Sequence, residues 1–164
     1  MGLRIKVMGK EEAERFSHEF HDEPFYMISI HSAASVSGDP DIDETNKDLK
    51  DLLRLTFSDV TYELYCDGSA ITDDDGDQIY YFASDLPDNA LLVVHCRTGV
   101  SRSAAVAAAL SRIFNGDESV FWSPPYSPNP LVYQKVMMSW YEDELYHETM
   151  EKVRENKFRM CSNR

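Results

Sequence analysis

A cysteine and an arginine separated by five residues can face the same tetrahedral anion. That pair is present in Val94-His95-Cys96-Arg97-Thr98-Gly99-Val100-Ser101-Arg102-Ser103-Ala104, between an apolar run and an alanine-rich one. Each residue type has a use there. A thiolate is the nucleophilic form of cysteine, and a helix N-terminus with its free N–H donors and positive dipole end lowers a thiol pKa. Arg102 offers a planar fork to two phosphoryl oxygens, which a lysine cannot match. Gly99 lets the backbone turn and come close to the anion. The backbone of Arg97, Thr98, Gly99, Val100 and Ser101 supplies the donors, and Ser103 is near enough in sequence to donate its hydroxyl to the sulfur. His95 is expected to fix the loop from the strand side. A lone cysteine is more often a small buried hydrophobe, but six specified positions from His95 to Ser103 agree in type with a phosphate-binding loop set between a strand and a helix.

His95-Cys96-x-x-Gly99-x-Ser101-Arg102-Ser103 resembles the signature of the cysteine-dependent protein tyrosine phosphatases, and its Ser-Arg-Ser ending is more similar to the dual-specificity subclass. The resemblance implies a two-step hydrolysis of a phosphoester, in which Cys96 takes the phosphoryl group and water then releases it, with no cofactor and no metal. Its implied substrate is a phosphorylated protein or peptide. A phosphoinositide or an RNA 5′-phosphate is the alternative within the same superfamily, and a non-catalytic phosphate-binding module is the alternative outside enzymes.

A thiolate expels an alkoxide or phenoxide poorly without a general acid, an effect of about 10²–10⁴-fold. The family places an aspartate for this on a loop after the strand preceding the phosphate-loop strand. Asp59, 37 positions before Cys96, follows an apolar strand and leads the candidates because the carboxyl ends of parallel strands share one edge. Asp67 and the run Asp73 to Asp77 compete with it, since all lie in the same connection. Asn129, in Ser127-Pro128-Asn129-Pro130, matches the Pro-Asn that dual-specificity phosphatases place before their final helix to brace the phosphate loop. The same residue also suits a helix N-cap. Cys66 is a candidate partner for an oxidised Cys96.

The elements that must position these residues follow from periodicity. Leu3 to Met8, Tyr26 to Ile30, Leu52 to Phe57 and Leu91 to His95 read as strands, the last an unbroken apolar run suited to the centre of a parallel sheet. Lys10 to Phe20 reads as an amphipathic helix. Ser103 to Phe114 reads as a helix stopped by Gly116, and a long helix opens at Asn129-Pro130 and runs to about Lys157. Ser37 to Asp51 reads as a solvated acidic loop leading into a polar helix, and Asp73 to Asp77 as an acidic turn. As a calcium loop that turn fails, because Ile71 and Phe82 would occupy the first and twelfth ligand positions. The expected fold is one α/β domain over residues 1–164, with a central, mostly parallel sheet of about four strands flanked by helices, tyrosine phosphatase-like.

Composition narrows the partners. With 29 acidic against 16 basic residues and a formal net charge of -13, the chain would bind a nucleic acid backbone against its own field. The same field repels phosphate substrates at long range, but salt screens it and local donors dominate inside a cradle. No apolar run approaches the roughly 20 residues of a membrane span, so no membrane partner is expected. Three cysteines without metal-type spacing read as thiols in a reducing compartment, with the cytoplasm as the expected location.

Overall fold

The computed structural model describes residues 2–33, 36–62 and 68–162. Four strands form one parallel sheet: β1 (Leu3–Met8), β2 (Phe25–His31), β3 (Leu49–Thr56) and β4 (Ala90–His95), in the order β1-β4-β2-β3. Every residue of β4 is buried, which explains its unbroken apolar sequence: it pairs with strands on both sides and is covered on both faces. Alternation along the strands separates two cores. Leu92 and Val94 face a large core shared with α2 (Asp73–Ser84), α3 (Arg102–Asn115) and α4 (Pro130–Ser162), whereas Leu91 and Val93 face a smaller one with Ala13 and Phe16 of α1 (Lys10–His18).

The strand and helix expectations for β1, β2, β4, α1, α3 and α4 agree with this order, with ends displaced by a few residues. Gly116 closes α3 in the left-handed conformation at φ 75°. Two expectations are corrected. No helix follows the acidic loop. β3 instead begins at Leu49 and takes in Lys50 and Asp51, because it is an edge strand with little cover and tolerates charge on its exposed positions. The second correction concerns Asp73 to Asp77, which form the first turn of α2 rather than a free turn. Thr72 caps that helix by accepting from the Asp75 N–H, while the Asp75 carboxylate accepts from the Thr72 N–H. The three acids in the first turn suit the positive end of the helix dipole. Among the described residues no helix is long and apolar enough to cross a membrane.

Candidate active site

Strand β4 ends at His95, and α3 begins at Arg102, so the loop from Cys96 to Ser101 lies at the carboxyl edge of the sheet, at a helix N-terminus. The shape of the loop is set by its neighbours. The carbonyls of Arg97, Val100 and Ser101 accept hydrogen bonds from the N–H groups of Lys10, Ser127 and Asn129 at 3.0, 2.9 and 3.1 Å. A trans peptide points its N–H opposite to its carbonyl, so anchoring these oxygens outward turns the N–H groups of Thr98, Ser101 and Arg102 toward the inside of the loop. Gly99 makes the turn possible: its φ is +73°, and a Cβ there would stand 2.7 Å from the Met8 carbonyl carbon and 2.8 Å from the Gly9 nitrogen.

Cys96 is buried at the foot of this loop, with its Sγ 3.1 Å from the Ser103 Oγ. Burial by itself pushes the thiol up. The Ser103 hydroxyl, the N–H groups of Ser103 and Gly99, and the Arg102 guanidinium together outweigh that burial and hold the thiol below its ordinary pKa. His95 is buried beneath it, and its pKa is pushed down to about 4, chiefly by burial. It is therefore neutral at pH 7 with a single N–H. The Cys96 carbonyl 3.3 Å from Nδ1 can only accept, so Nδ1 carries the proton and Nε2 accepts from the Ser29 hydroxyl at 2.6 Å. His95 thus ties the end of β4 to Ser29 of β2.

Arg102 is buried and crosses to the ends of β2 and β3, where its Nη1 donates to the Ser32 Oγ at 2.9 Å and the Phe57 carbonyl at 2.8 Å. Its buried Nε has no partner among the described residues. A buried guanidinium donor left unsatisfied is costly, and an oxyanion in the loop is the group that would satisfy it.

Asp59 lies three residues beyond β3, on the same edge of the sheet. Its Oδ1 accepts from the Ser101 hydroxyl at 2.8 Å and from the Asn129 Nδ2 at 2.7 Å. Ser101 therefore points its side chain at Asp59. Asn129 has three further attachments: its Nδ2 also reaches the Val60 carbonyl, its backbone N–H holds the Ser101 carbonyl, and its Oδ1 caps α4 by accepting from the Leu131 and Val132 N–H groups. The competitors stand elsewhere. Asp73, Asp75 and Asp77 are bound to Lys135, Thr72 and Ser139 on the α2–α4 side of the molecule. Asp67 and Cys66 lie outside the described residues.

Three residues near the loop were not expected from the sequence. Ser29 and Ser32 carry no local signal, since their roles depend on β2 lying beside β4. Lys10 could have been found, because it follows β1 and the carboxyl ends of parallel strands share one edge. Its ammonium donates to Ser37 and to the Gly38 carbonyl, none of which neutralises its charge. Lys10, Arg97 and Arg102 face one cavity of about 120 Å³ whose other walls include Ile30, Val36 and Pro40. Of the other expected residues, Thr98 and Arg97 are exposed and Val100 half-buried. Among the described residues, no group of three or more His, Cys, Asp or Glu side chains could hold a metal ion.

No protein-family model matches the chain, and no curated protein is similar to it. Among solved structures it is similar to Tk-PTP in the active form, at 13% identity over 87% of this chain and 90% of that one, with a TM-score of 0.48. An overlap of that size assigns no function.

Proposed function

We propose that this chain is a phosphomonoester hydrolase acting on phosphotyrosine in proteins or peptides, and also on phosphoserine and phosphothreonine, through a cysteinyl-phosphate intermediate. The observation that carries this reading is a buried thiol held below its ordinary pKa at the foot of a loop of inward N–H donors, with the unsatisfied Nε of Arg102 beside it. In the first step the Cys96 thiolate attacks phosphorus while the bond from phosphorus to the ester oxygen breaks. Arg102 and the loop N–H groups stabilise the charge on the transferring phosphoryl oxygens. Asp59 gives a proton to the departing oxygen; because its Oδ1 accepts both hydrogen bonds, the transferable proton sits on Oδ2. In the second step water attacks phosphorus and yields a proton to Asp59. The sulfur leaves as thiolate, stabilised by the Ser103 hydroxyl at 3.1 Å. These steps call on no cofactor, and a free thiolate is suited to the reducing cytoplasm.

The cavity shared by Lys10, Arg97 and Arg102 favours a second reading, in which the substrate is a more highly charged phosphoester such as a phosphoinositide or an RNA 5′-phosphate. The test is hydrolysis of an aryl phosphate and of phosphopeptides beside inositol phosphates and 5′-triphosphate RNA. Wild-type protein should hydrolyse the aryl phosphate in a vanadate-sensitive manner. Cys96→Ser should abolish turnover yet keep binding of a non-covalent phosphate analogue such as tungstate, because only the nucleophile is removed. Phosphate binding without turnover in the wild type would make the chain a binding module, and residual turnover in Cys96→Ser would remove the cysteine mechanism.

A further inference from the structure

Helix α4 is 33 residues long, but only its first part belongs to the body of the protein. Val132, Val136 and Ser139 are buried, and Asp143 accepts a hydrogen bond from the Tyr80 hydroxyl of α2 at 2.8 Å. From Glu144 to Ser162 every residue is exposed. At 1.5 Å per residue, these 19 residues project about 28 Å. In proteins most of a helix's stability comes from the packing of one face rather than from intrinsic propensity.

The projecting part keeps the pattern of a packed helix. The spacing of Val132, Val136, Ser139 and Asp143 is four, three, four, and it continues without a break through Tyr146, Met150, Val153, Lys157 and Met160. The face that seats α4 on the body therefore runs on as a seam of Tyr146, Met150, Val153 and Met160, which are 61%, 37%, 40% and 64% exposed. This is the 3.5-residue repeat of helices that wrap around each other.

Charge along the same segment is divided. Glu142, Asp143, Glu144, Glu148 and Glu151 precede Lys152, Arg154, Lys157 and Arg159, with Glu155 the one acid in the second half. Such a division suits the helix dipole, and it also makes the segment complementary to a reversed copy of itself. A parallel pair would set Asp143 against Asp143 and Lys157 against Lys157 within the seam. An antiparallel pair centred between Met150 and Val153 sets Met150 against Val153, Lys157 against Tyr146, and each acidic half beside a basic one.

We propose that the projecting part of α4 is a docking surface for a second copy of this chain, forming an antiparallel two-helix interface with two-fold symmetry. The residue pairs are reciprocal, as a two-fold interface requires. The interface is independent of the phosphatase reading, because none of its residues lies in the cysteine loop.

The experiment is sedimentation of the full chain over a range of concentrations, with the double substitution Met150→Glu and Val153→Glu as comparison. Wild type should pass reversibly from monomer to dimer, and the variant should stay monomeric at the highest concentration. Both positions lie beyond the body, so the variant should keep the wild-type melting transition, measured on dilute protein. Direction is read from spin labels on the exposed Cys161 in chains carrying Cys66→Ser and Cys96→Ser. An antiparallel pair holds the labels about 30 Å apart along the helix axis, whereas a parallel pair holds them at one level, about 10 Å apart. A wild type that stays monomeric, a variant that still dimerises, or the short label distance would each overturn the proposal.

Discussion

Replacing Ser103 by alanine isolates one interaction at Cys96. The Ser103 hydroxyl is buried in the first turn of α3, 3.1 Å from the sulfur, and it is the leading favourable contribution to the lowered thiol pKa. A hydrogen bond to a charged group contributes about 1.5–3 kcal/mol. At 1.4 kcal/mol per factor of ten, its loss leaves about ten- to a hundredfold less thiolate at pH values well below the wild-type thiol pKa, and a smaller deficit as pH approaches it. Full burial leaves little access for water to replace the donor, which favours the upper part of that range. The assay is the rate of alkylation by iodoacetamide as a function of pH, which reads the thiolate without any phosphatase turnover. The alanine variant should reach half-maximal alkylation at higher pH than wild type, and the low-pH limb of kcat/KM should move in the same direction. Burst kinetics with an aryl phosphate should also show slower breakdown of the cysteinyl phosphate, whose leaving group is the thiolate. An unchanged alkylation profile would refute the reasoning, since it would mean that the loop N–H groups and Arg102 alone set the thiolate population.

Asp59→Asn should lower kcat by roughly 10²–10⁴ on a phosphotyrosyl peptide and by much less on an activated aryl phosphate, whose leaving group needs little protonation; equal losses on both substrates would take the acid role from Asp59. His95 is held at about 4 against an ordinary 6.5, so below pH 6.5 the unfolded chain binds more protons than the folded one. Stability should therefore fall as pH drops from 6.5 to 4, by about 3 kcal/mol at 1.36 kcal/mol per unit. Urea titrations of wild type and His95→Asn test this, and a variant with the same pH slope as wild type would exclude His95 as the cause. Gly99→Ala demands a left-handed alanine, costing about 1–2 kcal/mol, and also forces its Cβ to within 2.7–2.9 Å of the Met8 and Gly9 backbone. Its melting temperature should drop by at least several degrees at about 2–4 °C per kcal/mol, and an unchanged melt would show that the loop adopts another path.

Local patterns were enough for the elements that depend on their own residues. The all-apolar run of β4, the alanine-rich stretch of α3 with Gly116 behind it, and Asn129-Pro130 ahead of α4 each carry a periodicity or cap that acts within a few residues. The loop from Cys96 to Arg102 was legible for the same reason, since a strand end, a glycine and a helix start are consecutive in the chain. The start of α2 was also written locally, as Thr72 and Asp75 three residues apart, but the density of acids around it resembled a solvated turn. Where a segment's state depends on its neighbours, composition misled: Lys50 and Asp51 are charged yet belong to β3, because this edge strand pairs with β2 and leaves those two side chains exposed to water.

The tertiary structure alone decided which side chains share the site. Spacing left several aspartates open, and the strand order brings the end of β3 and the start of α4 together, so that Asn129 and Ser101 grip Asp59, while Asp73, Asp75 and Asp77 are occupied beside α4 and Asp67 lies outside the described residues. Lys10, Ser29 and Ser32 reach the loop because β1 and β2 flank β4, a contact between residues 60 to 90 positions apart that no local pattern encodes. The pKa values of Cys96 and His95 are likewise properties of packing. A thiol or an imidazole takes its ionisation from the donors and the burial around it, and those are set only when distant strands close on the same edge.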